Sequence, residues 1–275
     1  MAKKIKTGII YICLSILALT CIVPFLLMMV NATRSGREIM TSFTLIPGNN
    51  LKENWDAVWG YFNLLLGLWN SFKVALPATI LTSYFSALTA YALAVYKFKG
   101  KNVIFYTIVI FMMIPGQLSL IGFYNLVAAL KLMDSYIPLI VPAIAAPGTV
   151  FFLRQYILSV LPMSLLEAGR IDGAKELSMF HKIVFPIMVP GVATMAIGGF
   201  IGNWNAYLVP LILLNTPKKF TLPVMIASLN SSKDIATNQG AIYLAVAISV
   251  LPILIAFCFF SKYIISSISA GSVKE

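Results

Sequence analysis

One short segment of this chain has side chains that could take part in chemistry, a polar island between long apolar stretches. Its centre reads Glu-Ala-Gly-Arg-Ile-Asp-Gly-Ala over residues 167–174. Carboxylates and a guanidinium this close together can form charge-assisted hydrogen bonds with a facing surface, and charges are costly inside lipid. We therefore expect the island to meet water and a protein partner, with a merely solvated loop as the alternative. Its charged residues are Glu167, Arg170, Asp172, Lys175, Glu176 and Lys182.

The residue order within the island predicts a helix, a turn and a second helix. Ser164 and Glu167 have the S-x-x-E spacing of a capping box, which is typical of a helix start. The Asp-Gly pair ending at Gly173 predicts the turn. A second helix should then run from about residue 174 to residue 183, until Pro186 ends it.

Composition identifies the class of protein that must position this island. Hydrophobic residues make up 60% and charged residues 11% of the 275 positions, against about 45–50% and about 25% in soluble domains. The sequence therefore predicts an all-α integral membrane protein. The net charge of +11 is spread in short clusters between apolar runs, which favours a membrane setting over a nucleic-acid partner.

Six apolar windows are long enough to cross a bilayer as helices, since a span needs about 20 residues. Lys and Arg are more frequent in the segments that lie inside if the N-terminus is cytoplasmic, so we expect both termini in the cytoplasm. The first window is too long for a signal peptide and is expected to be retained. The windows are residues 8–31, 72–96, 103–127, 134–155, 186–214 and 239–266.

No metal site is expected from the cysteines or the histidine. Cys13, Cys21 and Cys258 lie in apolar runs without metal-ligand spacing and are expected to be small core residues. A single histidine, His181, cannot build a metal site alone, and we expect it in a solvated loop.

Aromatic residues crowd the predicted outer segment between residues 31 and 70. Trp55, Trp59 and Trp69 stand there beside charged residues, a composition typical of a helix in the membrane interface. Either anchoring in lipid or contact with an external partner explains them.

The island resembles the EAA loop of binding-protein-dependent ABC importer permeases, whose pattern is Glu-Ala-Ala, three residues, Gly, nine residues and Ile-x-Leu-Pro. Gly169 replaces the second Ala and Phe185 replaces Leu. The residues in register are Glu167, Ala168, Gly173, Ile183 and Pro186. From about residue 70 onwards the chain is similar to the carbohydrate branch of these permeases, such as the smaller membrane subunit of maltose transporters. Supporting motifs include Ala90-Tyr91-Ala92-Leu93-Ala94, Met113-Ile114-Pro115 and Trp204-Asn205.

The resemblance implies a type I ABC importer (MetI-like) permease fold with six transmembrane helices in a bacterial or archaeal cytoplasmic membrane. It implies an N-terminal helix with an external segment over residues 1–70, and a permease core over 71–275 that contains the EAA loop at about 162–186. The partners implied are a second homologous permease, a dimer of ATPase subunits, an extracellular sugar-binding protein and lipid. ATP and magnesium would be bound by the ATPase, with no cofactor in this chain.

The resemblance also assigns residues to roles, and here the alternatives stay open. The coupling segment that contacts the ATPase would comprise Glu167, Ala168, Gly169, Arg170, Asp172 and Gly173. The C-terminal tail would add a second ATPase contact through Gly271, Val273 and Lys274. Hydrogen-bonding and aromatic groups suited to a sugar path are Asn203, Trp204, Asn205, Tyr207, Tyr84 and Tyr91, although such residues also join helices to each other.

Two other classes of function compete with an importer subunit that is not itself an enzyme. The sequence has no G-x-x-x-x-G-K-[ST] phosphate loop, so energy from ATP must come through another chain. A channel or secondary carrier acting alone is the main alternative, but the apolar windows hold no Asp or Glu in their interior, where ion-coupled carriers place such residues in the bilayer. A membrane scaffold is the third possibility.

Overall fold

The structure is a computed structural model that describes residues 2–230 and 235–272. All its regular elements in these ranges are helical, as predicted. Single turns of 3-10 helix occupy Gly116–Ser119, Val141–Ile144 and Pro217–Lys219, and a π-helical turn occupies Phe180–Val184. The α-helices are α1 (Ala2–Asn31), α2 (Gly36–Thr41), α3 (Leu51–Tyr61), α4 (Leu64–Val95), α5 (Lys101–Met112), α6 (Leu120–Ala129), α7 (Ile137–Ile140), α8 (Pro147–Val160), α9 (Met163–Ile171), α10 (Glu176–Met179), α11 (Phe185–Trp204), α12 (Leu208–Leu213), α13 (Leu222–Asn230) and α14 (Ile235–Ser272).

The described helices provide five spans long and apolar enough to cross a membrane, and a sixth if one bent pair counts as a span. The sequence windows locate these spans but misplace several ends. The fifth window, for example, extends to residue 214, whereas α11 ends at Trp204. The five spans are Lys6–Asn31, Leu64–Val95, Ile137–Val160, Glu176–Trp204 and Gln239–Tyr263.

The bent pair lies in the third window, residues 103–127. Lys101–Met112 and Gly116–Ala129 meet at 91°, with the extended residue Pro115 between them. Proline has no N–H to continue a helix. Residues 111–119 are all exposed, and irregular backbone at membrane depth is tolerated only beside protein or water. This side of the bend therefore needs protein or water beside it rather than lipid.

The three cysteines do not pack in the core as expected. Cys13, Cys21 and Cys258 are free thiols on exposed helix faces. Their helices are apolar on every side, so periodicity could not indicate which face would be buried.

The chain divides into two compact units, and each unit combines two segments that are distant in the sequence. One consists of Met1–Leu68 with Leu222–Pro252, and the other of Trp69–Thr221 with Ile253–Glu275. The boundary at residue 70 remains a prediction.

Within the first unit, two buried polar side chains satisfy the backbone groups that follow α1. The Arg34 guanidinium, 4% exposed, donates to the carbonyl oxygen of Ser42 at 3.0 Å. The amide of Asn54 donates to the carbonyl oxygens of Ala32 and Arg34 at 2.9 and 3.0 Å. A Cβ at Gly240 would lie 2.2 Å from the Arg34 oxygen, so only glycine allows α14 to approach this closely.

Within the second unit, Asp134 joins two loops. Its backbone N–H donates to Leu213 O at 2.8 Å, and its Oδ1 accepts from the N–H groups of Asn215 and Thr216 at 2.9 and 3.0 Å. Lys219 Nζ lies 2.8 Å from Oδ2. A single carboxylate thereby fixes the turn after α6 against the loop after α12.

Asp134 should make stability depend on pH. The Lys219 ammonium, followed by the hydrogen bonds from Thr216 and Asn215, holds the pKa of Asp134 well below its usual range. Such a group stabilises the fold fully above its unfolded pKa of about 3.9, and this contribution declines as pH falls towards the folded pKa. In thermal unfolding experiments we expect Asp134→Asn to have a lower melting temperature than wild type at pH 7. The difference in melting temperature should become smaller below about pH 4.

Asp56→Asn is the matched control, because Asp56 is exposed on α3 and forms no ion pair among the described residues. If the difference in melting temperature between Asp134→Asn and wild type does not change across this pH range, the stabilising role of the ionised Asp134 is contradicted.

The second unit is built around one continuous apolar cluster in which α4, α8, α9 and α11 meet. Gly191 of α11 lies against the Tyr156 ring of α8, and a Cβ there would be 2.7 Å from Tyr156 Cδ1. The buried members of the cluster are Ala87, Ala90, Tyr91, Ala94, Leu153, Ile157, Leu161, Leu166, Phe180, Val184, Met188 and Val192.

Gly191→Ala should destabilise the chain, because the added methyl forces the rigid Tyr156 ring out of position. Overpacking of this kind costs about 1–3 kcal/mol. Gly198→Ala in the same helix is the control, since a Cβ there meets nothing within 4 Å. Thermal unfolding in detergent should show a lower midpoint for Gly191→Ala alone, and equal midpoints for both variants would contradict this packing.

Candidate coupling site

The first helix of the polar island, α9, begins earlier than the sequence pattern indicated. Its N-cap is Pro162, with φ −70° and ψ 123° and no side-chain cap. Ser164 therefore lies inside the helix, and the predicted capping box with Glu167 is wrong. Proline is well suited to a helix start because the first N–H groups have no partner within the helix.

The predicted turn at Gly173 is confirmed, and its hydrogen bonds are those of a Schellman motif. The N–H of Gly173 donates to Arg170 O at 3.1 Å, and the N–H of Ala174 donates to Gly169 O at 3.0 Å. Gly173 has φ +74°, in the left-handed region that glycine adopts without strain. The end of α9 thus depends on glycine at this position.

The second helix of the island does not end at Pro186 as predicted. A span runs without a break from Glu176 to Trp204, and the π-helical turn lies just before the proline. There the N–H of Phe185 bonds to Phe180 O, five residues back. A π turn inserts one extra residue into a helix, and Pro186 follows it at the start of α11, where its missing N–H is tolerated. The island is therefore continuous with a membrane span.

The side of α9 that faces the protein is held close by a glycine. Gly169 is buried, and a Cβ there would lie 3.1 Å from Met179 Sδ and 3.3 Å from Ile183 Cδ1. Leu166, 1% exposed, belongs to the apolar cluster of the second unit. Gly169, which by propensity alone would loosen the helix by up to about 1 kcal/mol relative to alanine, also permits this close packing.

The opposite side of α9 faces outwards. Glu167, Ala168, Asp172 and Gly173 are exposed. Across the described ranges, neither Glu167 nor Asp172 takes part in an ion pair. Two carboxylates and two small residues thus form an accessible ridge, which we call the α9 ridge.

Arg170 pairs with a carboxylate that sequence reasoning did not assign to the coupling segment. Arg170 Nε lies 2.9 Å from Glu176 Oε1. The Tyr96 hydroxyl donates to Glu176 Oε2, and the Tyr91 hydroxyl lies 3.4 Å from the same oxygen. Loss of solvent on burial, followed by the hydrogen bond to Glu176, raises the pKa of Tyr96, so its hydroxyl stays protonated as a donor.

His181 lies in the π-helical turn rather than in a solvated loop. Its Nε2 is 3.1 Å from the Tyr84 hydroxyl, and the two rings stack with centroids 5.9 Å apart. Tyr84 and Tyr91, both considered for a sugar path, thus contact the island through His181 and Glu176.

The other residues considered for a sugar path lie where α11 ends. Trp204 is 2% exposed and stacks on Phe200 with centroids 5.6 Å apart. Asn203 is half-buried, whereas Asn205 and Tyr207 are exposed in the break before α12. These four residues are near one another because they are close in sequence. Tyr84 and Tyr91, in contrast, contact the island.

Of the C-terminal residues expected to contact the ATPase, Gly271 lies in α14. Val273 and Lys274 lie outside the described residues.

These features define a multi-pass helical membrane protein with an exposed helical ridge between two of its spans. Residues 80–269 match the family described as binding-protein-dependent transport system inner membrane component. The chain belongs to this family, so it is a transport permease of the inner membrane and not an enzyme.

Relatives of the chain support this assignment. It is 40% identical over 205 residues to the arabino-oligosaccharide transport system permease AraQ of Bacillus subtilis, covering 74% of this chain and 72% of that protein. It is 34% identical over 282 residues to AraQ of Halalkalibacterium halodurans, covering 99% and 98%.

A solved structure has the same fold. It is a bacterial ABC transporter involved in the import of the acidic polysaccharide alginate, with a TM-score of 0.81 and 22% identity. The match covers 96% of this chain and 98% of the other, which supports the MetI-like permease fold.

Gly173 offers a test of the turn that is independent of steric contact, since a Cβ there meets nothing within 4 Å. An ordinary residue in the left-handed conformation costs about 1–2 kcal/mol, and asparagine tolerates it better. We expect transport to fall in the order wild type, Gly173→Asn, Gly173→Val, measured as uptake at equal protein abundance. Equal uptake by the two variants would show that the backbone conformation at Gly173 is unimportant.

Proposed function

We propose that this chain is the membrane-spanning subunit of an ATP-driven importer for a sugar, an oligosaccharide in particular. It forms half of the translocation path with a second homologous permease. A dimer of ATPase subunits binds ATP and magnesium, and an extracellular binding protein delivers the sugar. The family match and the oligosaccharide relatives support this proposal, and the observation that carries the coupling role is the exposed α9 ridge.

Both termini and the α9 ridge lie on the cytoplasmic side in this proposal. The greater frequency of Lys and Arg in the segments assigned to the inside supports it, and the two termini share a side when the bent pair counts as a sixth span. We retain the division into residues 1–70 and a permease core of 71–275.

The α9 ridge docks in a groove of the ATPase. Its small residues Ala168 and Gly173 allow close approach, and Glu167 and Asp172 offer carboxylates to cationic side chains. On its inner side, Leu166 packs in the apolar cluster, so a push on α9 reaches the spans through packed side chains.

Two further roles rest on the resemblance. The tail residues Gly271, Val273 and Lys274 add a second contact with the ATPases. The sugar passes near the end of α11, where Asn205 and Tyr207 are exposed and offer a hydrogen-bonding group and an aromatic face.

Reversing the charge at Glu167 should separate this subunit from its ATPase. Glu167→Lys places a cation opposite the cationic side chains proposed for the ATPase groove. It breaks no ion pair among the described residues. We expect normal membrane insertion, loss of ATPase co-purification and uptake reduced about 100-fold, as two or more charge-assisted hydrogen bonds would give.

Glu53→Lys is the control, because it makes the same change at an exposed position of α3 on the predicted outer side. Co-purification of Glu167→Lys with the ATPase at wild-type yield would contradict the docking role.

The transport function itself is tested in vesicles that contain both permeases and the ATPase dimer, with the binding protein added outside. Labelled arabino-oligosaccharide is the first substrate to try, given the relatives. ATP-dependent accumulation is expected. Transport by this chain alone without ATP would instead support the channel or carrier alternative.

A further inference from the structure

Glu176 holds two separate elements with its two carboxylate oxygens. Oε1 pairs with Arg170 at the end of α9, and Oε2 accepts from Tyr96 just beyond the end of α4. Tyr91, one turn earlier on α4, completes the group, with its hydroxyl 3.4 Å from both Oε2 and the Tyr96 hydroxyl. We call Arg170, Glu176, Tyr91 and Tyr96 the α4 clamp.

The α4 clamp lies at the edge of the apolar cluster. The Tyr91 ring, 2% exposed, lies 5.5 Å from the Phe180 ring and 5.5 Å from the Tyr96 ring. Phe180 is fully buried in the π-helical turn. The hydroxyl ends of the tyrosines therefore reach Glu176 while their rings are fixed by packing.

The ion pair within the clamp is not a device for stability. The side chains of Arg170 and Glu176 are 44% and 46% exposed, and exposed ion pairs contribute little to folding. Its value is directional, because hydrogen bonds fix both distance and orientation. It adds a directed link between the end of α9 and α4 to the apolar packing of Leu166.

The geometry points to Glu176 as a positioning residue that fastens the end of the coupling segment to α4, so that displacement of α9 by the ATPase moves α4 with it. This inference rests on the proposed function of the α9 ridge. Arg170 then acts inside the subunit, whereas Glu167 and Asp172 on the ridge contact the ATPase.

The test uses the complete transporter in vesicles and measures the ATP hydrolysed per sugar imported, together with ATPase co-purification. Glu176→Ala removes both links, and Tyr96→Phe removes one hydroxyl while keeping the ring. We expect the ATPase to remain bound and active in both variants. The ratio of ATP to sugar should rise about tenfold for Glu176→Ala and about threefold for Tyr96→Phe, in line with the loss of two and one partly exposed links that each contribute about threefold.

The double variant should be no worse than Glu176→Ala, because both changes break the same link. Lys182→Gln is the control, because Lys182 is an exposed charge within the π-helical turn and is not a member of the clamp. If Glu176→Ala fails to fold, Tyr96→Phe alone decides the matter.

If the wild-type complex transports sugar and the variants have the same ratio of ATP to sugar as wild type, the clamp is overturned and the proposed function stays intact. Loss of ATPase binding in step with uptake would also overturn it, since it would make Glu176 part of the docking surface. Absence of ATP-dependent uptake by the wild-type complex would refute the proposed function itself, and the clamp with it.

Discussion

Lipid cannot hydrogen-bond a peptide group, and the rest of this structure depends on that constraint. The chain meets this constraint with helices, in which the backbone N–H and C=O groups bond to each other. The backbone polar groups without a partner are therefore found where helices end. Arg34 and Asn54 serve the backbone after α1, and Asp134 serves the loop after α12. Each of these side chains does at a helix end what water does for a soluble protein.

The candidate coupling helix α9 is packed on one side and open on the other. The inner face of α9 packs through Gly169 and Leu166 against buried groups, so it has one position. The outer face keeps Glu167 and Asp172 in contact with solvent. A rigid body with a charged edge can be gripped from outside and still transmit force inwards, which a solvated loop could not do.

Much of the fold could be predicted from the sequence, because span location depends on composition and the turn at Gly173 depends on local backbone chemistry. The predicted capping box was wrong because the helix starts after Pro162, two residues before Ser164. The predicted helix end at Pro186 was wrong because a π-helical turn accommodates the proline. No sequence pattern predicts that turn. The Glu176 to Tyr96 bond joins residues 80 positions apart, so it follows from packing and not from any local signal.

The bend at Pro115 has a consequence for biosynthesis. A helix of 12 residues rises about 18 Å, so the exposed bend at residues 113–115 falls well within the depth of a bilayer about 30 Å thick. A newly inserted copy presents this bend to lipid until another surface or water covers it. A cell therefore gains by making this chain in step with whatever covers the bend.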